Sequence, residues 1–559
     1  MSDSKSNHFL IQGNILAIAS LLVRIIGLIY RIPMRRIIGA EGAGLYSYSF
    51  EVYNIALILS SYSLPLAVSR LVAVRRAKKE HRNSYRIFLC AMAFAVSVGL
   101  LTTAIIFIGA DFIAEVGFKS PNVALPLRFL SPTILVFAIM GVFRGFYQGK
   151  DTMIPTAISQ VLEQIVNAIV SIAASYMLIK NYSANINVAA YGAAGGTLGT
   201  FVGACVGLIF LVFVFIIYKP VLSKQIKADH SGNIESYKSI FRLLLATIAP
   251  IILSQTVYQL SGLIDGALFG NILHNKKVTV FDSEVLEVLP GQPYTSAHRD
   301  KLWGIYSSEY RLLTNVPVAI AAAIGTAMVS SISADHARGF YDTIRFKIKS
   351  AVKFNMIIAI PSAVGMSVLA YPINVLLFDD SYKLSAYILM LGSASIVFFA
   401  YSTVTTSILQ GIDKLKVPVI NSAISLGIHI IMLTLILQFT ELSTYALVIG
   451  NVTFPLVVSI LNWHALEKYI NYRQEVIKTF AIPCASALIM GLLAHFLYKG
   501  LHALTGSMMF ATSITILLAI IIYFVLLVLF KGVNEDEIRQ LPKGHVLVRI
   551  LKSLHLLRG

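Results

Sequence analysis

Charge is scarce in this 559-residue chain: Asp, Glu, Lys and Arg make up 13% of it, against 57% hydrophobic residues. A globule with so little polar surface could not cover itself in water, and a mean hydropathy of +0.77 excludes the ordinary soluble classes. Cysteine is scarcer still. Cys90, Cys205 and Cys484 lie inside apolar runs without CxxC spacing, which excludes a disulfide framework and a thiolate metal site. No HExxH, GxSxG or Cys/His cluster occurs, so no catalytic residue, metal or cofactor is assigned. The nearest approach to a nucleotide loop, Gly145-Phe-Tyr-Gln-Gly149-Lys150-Asp151, lacks the first glycine and has Asp151 where Ser or Thr must follow the lysine, so ATP is not expected as a partner. Acidic residues are outnumbered 27 to 45. The excess of Lys and Arg sits in short clusters between apolar runs, which orients loops at a membrane and does not build a nucleic-acid surface.

What is present is a series of apolar runs, each long enough to cross a bilayer, which takes about 20 helical residues. They fall near residues 9–32, 45–68, 87–110, 128–147, 154–179, 189–217, 240–271, 306–332, 350–378, 384–409, 417–438, 443–465, 479–499 and 507–530. The expected fold is therefore an all-α polytopic membrane protein with fourteen transmembrane helices. No small-x-small cleavage site follows the first run, which reads as retained and not as a signal peptide. The second connection holds Arg70, Arg75, Arg76, Lys78, Lys79, Arg82 and Arg86, and other even-numbered connections add Lys219, Lys224, Lys227, Arg338, Arg345, Lys347, Lys414 and Lys416. Those loops are expected in the cytoplasm, and with them both termini.

Short matches recur in order. Gly27-Leu-Ile returns as Gly262-Leu-Ile, Gly44-Leu-Tyr-Ser as Gly304-Ile-Tyr-Ser, and Gln148-Gly149 with Pro155 as Gln410-Gly411 with Pro418. They divide the chain into an N-terminal lobe at 1–228, a C-terminal lobe at 229–470, and a final helix pair with a basic tail at 471–559. Each lobe has six helices and enters from the same side, so the repeat is parallel, with its pseudo-two-fold axis along the membrane normal. Transporters built this way bind substrate between the halves and alternate access by rocking them.

The first run places Arg24 near mid-depth, where a lone guanidinium costs from roughly 3 to above 10 kcal/mol and persists chiefly against protein or water. Gly13, Ala17, Ser20, Arg24, Gly27 and Arg31 share one helical face. That face is expected to line an anion-accepting cavity. Glu51 in the second run, Glu163 with Gln160, Gln164 and Asn167 in the fifth, Asp265 in the seventh, and Glu309 and Arg311 in the eighth are among the other intramembrane polar groups. A phosphorylated substrate would be held by Arg24, Arg31 and Arg311, because guanidinium forks match phosphate oxygens. Glu51 and Asp265 would neutralise them in the empty site. The alternative is that these charges pair only to fix helix packing, and that Arg31, Arg35 and Arg36 snorkel to the interface. Gly195, Gly199, Gly203 and Gly207 mark close helix packing. Pro65, Pro250, Pro317 and Pro361 are candidate hinges. The tail from Val546 to Leu557 reads as a basic amphipathic helix.

The insert from His274 to Lys301 reads as a solvated loop; its Asp282, Glu284, Glu287, His298 and Asp300 would be needed as acids or bases if the chain were a membrane-embedded glycosyltransferase.

Arg24-Ile-Ile-Gly-Leu-Ile-Tyr-Arg31-Ile-Pro33, Phe143-Arg144-Gly-Phe-Tyr-Gln148-Gly149, Ser159-Gln-Val-Leu-Glu163-Gln164 and Gln410-Gly-Ile-Asp-Lys-Leu-Lys-Val-Pro418, in that order, resemble the polysaccharide-transport branch of the multidrug/oligosaccharidyl-lipid/polysaccharide exporter superfamily. The likeness is to the group of stage V sporulation protein B-like proteins and MurJ-type lipid II flippases. It implies a flippase in the bacterial cell membrane that carries an undecaprenyl-pyrophosphate-linked cell-wall precursor from the inner to the outer leaflet. By the same resemblance Arg24 occupies a family cavity position and Arg311 matches one less distinctly. The last two helices would form a groove for the lipid tail, and the partners would be the lipid-linked oligosaccharide, membrane lipids, and a sodium ion, a proton or the membrane potential as driving force. Flippases for other lipid-linked surface polysaccharides share the pattern. A drug/cation antiporter would need an acid-dominated cavity.

Overall fold

Apolar runs in a solvent without hydrogen-bonding partners must satisfy their backbone internally, and helices do so within one segment. The computed structural model describes residues 2–535 apart from 230, 233, 380 and 381, together with His545; the proposed amphipathic tail at 546–557 lies outside the described residues. Among the described residues there is no strand, only an isolated antiparallel bridge between Lys277 and Pro293.

The helices in chain order are α1 (Ser2–Leu57), α2 (Leu64–Ala77), α3 (His81–Ile108), α4 (Ala110–Phe112), α5 (Ala124–Leu130), α6 (Pro132–Gly149), α7 (Ile154–Asn181), α8 (Val188–Lys227), α9 (Tyr237–His274) and α10 (Val280–Leu286). They continue as α11 (Ser296–Ile305), α12 (Arg311–Ala337), α13 (Tyr341–Val368), α14 (Ala370–Phe378), α15 (Lys383–Gly392), α16 (Ser395–Gly411), α17 (Lys416–Phe439), α18 (Thr444–Ile470), α19 (Ile482–Thr505) and α20 (Met508–Leu529). Ten described helices are long and apolar enough to cross a membrane, eleven if α15 and α16, bent by 43°, count as one. The first, Ile18–Ala77, carries two of the expected runs. α9 and α12 fall on the seventh and eighth expected runs.

Where a loop was expected between the first two runs, α1 is helical throughout and broken only at Gly39 (φ 70°, ψ 177°). Glycine reaches that left-handed φ without a Cβ penalty, so one residue turns the chain and no connecting loop is needed. Among the expected hinges, Pro65 opens α2 just after a π-turn at Ile58–Tyr62, and Pro317 and Pro361 lie inside α12 and α13. Pro250's side chain lies outside the described residues.

The chain forms two compact units, one of residues 1–277 and 293–308, the other of residues 278–292 and 309–559. In unit 1 the core gathers Leu64, Val68 and Val72 of α2, Phe88 of α3, Phe143 and Phe146 of α6, Leu211 of α8 and Ile240 of α9. The α8 glycine stripe is packed as expected. A Cβ on Gly195 would lie 2.4 Å from the Ser175 backbone nitrogen, one on Gly199 2.2 Å from Ser171 Oγ, and one on Gly203 2.6 Å from the Glu163 carbonyl, so α7 and α8 touch backbone to backbone. Unit 2 packs Ile348, Met356 and Ile360 of α13 against Ile396, Val404 and Ile408 of α16, Leu466 of α18, Met490 of α19 and Tyr523 of α20.

The expectation that 274–301 is a solvated loop gives way to a packed insert. Val278, Val285, Leu286 and Tyr294 are buried, and so are Asp282, Arg299 and Asp300. Its second part belongs to unit 1, where α11 crosses α1 so closely that a Cβ on Gly44 would lie 1.9 Å from the Asp300 carbonyl and one on Gly304 1.8 Å from the Ala40 carbonyl. The two glycines matched as repeat partners are therefore in mutual contact. Beside them Trp303, fully buried, stacks on Tyr48 with ring centroids 4.9 Å apart.

Candidate functional site

The arginine stripe of α1 can be placed by its glycine. Between Arg24 and Arg31, Gly27 faces α7: a Cβ there would lie 3.2 Å from Gln164 Nε2. Positions three before and four after Gly27 share its helical face, so Arg24 and Arg31 flank the polar side of α7. Both arginines keep exposed surface. Arg31 lies beside the hydroxyls of Tyr30 and Tyr46, which are 3.4 Å apart. Asn167 Nδ2 donates to Tyr30 Oη at 3.4 Å, and its Oδ1 accepts from Ser171 Oγ at 2.9 Å and Thr200 Oγ1 at 3.4 Å. A buried network of neutral polar groups thus backs the guanidinium stripe.

Glu163 has a partner on another helix that its own sequence neighbourhood did not reveal. Arg144 Nη2 donates to its Oε2 at 2.7 Å, and Arg144 Nε donates to Ser159 Oγ at 3.1 Å. Both side chains are largely buried, so each charge compensates the other. In the sequence Arg144 stands out only as part of a family pattern. A sharper signal would have been one Arg and one Glu at similar depth on either side of the short turn at 150–153.

Glu51 and Asp265 are buried on α1 and α9. Gly262 leaves the space for the first, since a Cβ there would lie 2.3 Å from Glu51 Oε2. Asp265 lies one residue short of a turn further on, and at the next glycine, Gly266, a Cβ would lie 3.0 Å from the Tyr48 ring. Gly27 and Gly262, matched as repeat partners, therefore act alike, each making room for a polar side chain of a neighbouring helix. The expected snorkelling is corrected for Arg35, which is buried at 3% exposure because its face of α1, with Met34 and Ile38, turns into the protein. Arg36 is exposed.

Arg311 belongs to unit 2, and the other five candidate residues belong to unit 1. It opens α12, half-buried, immediately after a π-turn at Tyr306–Tyr310. Glu309 there is fully buried and accepts from Ser385 Oγ at 2.6 Å. The Tyr310 hydroxyl lies 3.0 Å from the Gly392 carbonyl, 3.0 Å from Ser395 Oγ and 2.8 Å from Asn451 Oδ1. Those anchors fix the backbone from which Arg311 projects.

Among the insert's carboxylates, Asp300 is tied into the fold. Ser120 Oγ donates to Asp300 Oδ2 at 2.7 Å, and burial pushes the Asp300 carboxyl up to about 8. Arg299 donates to the carbonyls of Tyr294 at 3.0 Å and Lys119 at 2.6 Å. Among the described residues no group of three His, Cys, Asp or Glu could hold a metal ion.

Comparison with known proteins agrees with this architecture. A family model described as "Polysaccharide biosynthesis protein" matches residues 12–334, and one described as "Lipid II flippase MurJ" matches residues 306–529. The chain is 27% identical to lipid II flippase MurJ of Bacillus subtilis strain 168 over 76% of each chain, and 24% identical to stage V sporulation protein B of the same organism over 96% of this chain and 99% of that one. A solved structure of lipid II flippase MurJ in an inward closed conformation superposes with a TM-score of 0.63 at 16% identity, over 92% of this chain and 98% of the other. The MurJ relatives are lipid II flippases and not enzymes, and the enzyme reading of the insert falls with them. The chain belongs to the family whose model is described as "Polysaccharide biosynthesis protein".

Proposed function

We propose that this protein moves an undecaprenyl-pyrophosphate-linked cell-wall precursor, lipid II, from the inner to the outer leaflet by alternating access between two six-helix lobes at 1–228 and 229–470, followed by the 471–559 pair. The observation that carries the reading is the Arg24–Gly27–Arg31 stripe set against the polar face of α7. An anionic cargo is what such a stripe would attract: each charge-assisted hydrogen bond to a phosphate contributes about 1.5–3 kcal/mol, and an organic cation would be repelled. In this reading Arg24, Arg31 and Arg311 meet the pyrophosphate. Glu51 and Asp265 hold the arginines when the site is empty, and Glu163 acts through its pair with Arg144. The fourteen-span count, cytoplasmic termini and a drive from sodium, protons or the membrane potential belong to the same proposal.

An apolar groove of about 330 Å³ within unit 2, lined by Pro361 and Gly365 of α13, Met490 of α19, and Ile516, Ile520 and Tyr523 of α20, supports the reading as a seat for a polyprenyl tail. A second reading, transport of another lipid-linked surface polysaccharide, is favoured by the family description that covers more than half the chain. Proteoliposomes holding the purified chain separate the two. Lipid II should reach the opposite leaflet faster than a lipid carrying a different glycan on the same pyrophosphate; equal rates favour the second reading, and no protein-dependent movement of either refutes both.

A further inference from the structure

Away from the arginine stripe, unit 1 has a cavity of about 510 Å³ where α2 ends, α3 and α7 begin and α8 runs out, lined by Arg76, His81, Tyr147, Lys150, Tyr218 and Gln225. Its volume falls within the range of small-molecule sites, roughly 300–1,000 Å³. The cavity lies at the ends of spans. α8 is 40 residues long, about 60 Å, twice a hydrocarbon core of roughly 30 Å, so Tyr218 and Gln225 in its last third reach headgroup depth.

Its charge is uncompensated at one position. Arg76 pairs with Asp151. The other nearby carboxylates are engaged as well: Asp229 accepts from the Arg82 backbone N–H at 2.7 Å, and Glu235 accepts from Arg75 Nε at 2.8 Å and Nη2 at 2.9 Å. Lys150 Nζ donates to the neutral amide oxygen Gln225 Oε1 at 3.2 Å, which also accepts from Tyr218 Oη at 3.1 Å. Among the described residues no carboxylate contacts the Lys150 ammonium. Burial and the neighbouring Arg76 pull that ammonium down to about 8, the mark of a cation short of a counter-charge. His81 Nδ1 is likewise buried without a partner.

We propose that this cavity binds the phosphate headgroup of an anionic phospholipid, with Lys150 and Arg76 as its cationic contacts. A lipid, not free phosphate, is the occupant because exposed apolar side chains adjoin the lining residues in sequence: Ile154, Ile158, Ile217 and Val221 are all exposed and offer a surface for acyl chains. With the proposed orientation of the basic loops, the lipid belongs to the inner leaflet. The site is independent of cargo recognition and stands whichever glycolipid is carried.

The test uses the full-length chain in detergent, with native mass spectrometry titrations of dioctanoyl phosphatidylglycerol, dioctanoyl phosphatidylcholine and inorganic phosphate. Phosphatidylglycerol should bind about tenfold more tightly than phosphatidylcholine, Lys150→Gln should abolish that preference, and Lys150→Arg should keep it. Hydrogen exchange across 147–155 in the unaltered chain should slow with phosphatidylglycerol alone, which keeps the test sound if a variant misfolds. Equal binding of the two lipids, an unaffected Lys150→Gln, or protection of 147–155 by inorganic phosphate as strong as by the lipid overturns the proposal.

Discussion

The crossing of α1 and α11 sets a sharp prediction. Alanine at Gly304 would place Cβ 1.8 Å from the Ala40 carbonyl and 2.8 Å from the Gly44 nitrogen, backbone atoms that no rotamer change can move. Restoring an ordinary contact of about 3.4 Å requires the two helices to part by roughly 1.5 Å. Overpacking of this kind costs about 1–3 kcal/mol where side chains can adjust. With backbone on both sides the upper end applies, about 3 kcal/mol, or on the order of a hundredfold in the population of the packed crossing. Ser308 Oγ lies 3.4 Å from the Ala43 carbonyl, so an Ala43→Cys/Ser308→Cys pair, in a chain with Cys90, Cys205 and Cys484 replaced, reports the crossing by oxidative cross-linking in membranes. The pair should cross-link readily, and Gly304→Ala should slow it by at least an order of magnitude. Gly500→Ala, with nothing within 4 Å of its new methyl, should leave the rate unchanged. Cross-linking at an undiminished rate in Gly304→Ala would refute the claim that these glycines hold the helices together.

Three further outcomes follow from particular side chains. Arg144→Ala leaves the Glu163 carboxylate buried without its cation and should lower stability in detergent denaturation by about 3 kcal/mol, whereas Arg144→Ala/Glu163→Gln should recover much of the loss; additive losses would contradict the pairing. Asp300 faces Glu41, which raises its carboxyl, and Arg299 and Ser120, which lower it, with burial dominant and the value at about 8. Packing therefore takes up a proton between the exposed value of 3.8 and about 8, so stability should fall as pH rises through that window and level off above it, and Asp300→Asn should remove the dependence in thermal melts. Asn462 Nδ2 donates to Thr405 Oγ1 and Thr406 Oγ1, both at 3.1 Å, and its Oδ1 accepts from Asn421 at 2.9 Å, so Asn462→Leu should cost about 1–3 kcal/mol by orphaning buried partners in unit 2, read in the same denaturation assay.

Much of the helical layout was legible because a span needs a long apolar run, and such runs leave little ambiguity. The α8 glycines were legible too, since four-residue spacing on an apolar helix has few causes besides close packing. The kink at Gly39 was not: a chain that bends on one left-handed residue leaves no polar linker to read. The insert was misread because its polar residues are buried through long-range partners, Ser120 for Asp300 and the Lys119 carbonyl for Arg299. The same limit applied to the site. Candidate residues were visible one at a time, as costly charges in apolar runs, but their partners on other helices were not. Gly44 and Gly304 show the boundary most clearly, since the sequence marked them as equivalent and only the structure brings them into contact.

The central claim is that the guanidinium stripe of α1 receives an anionic lipid-linked cargo. It is tested most directly by replacing Arg24 with Gln and with Lys, matching membrane levels of both variants to the unaltered chain, and measuring arrival of lipid-linked sugar at the outer surface. Arg24→Gln should lower the rate at least tenfold, the loss of about one charge-assisted contact, with Arg24→Lys in between; transport at the unaltered rate in Arg24→Gln would contradict it.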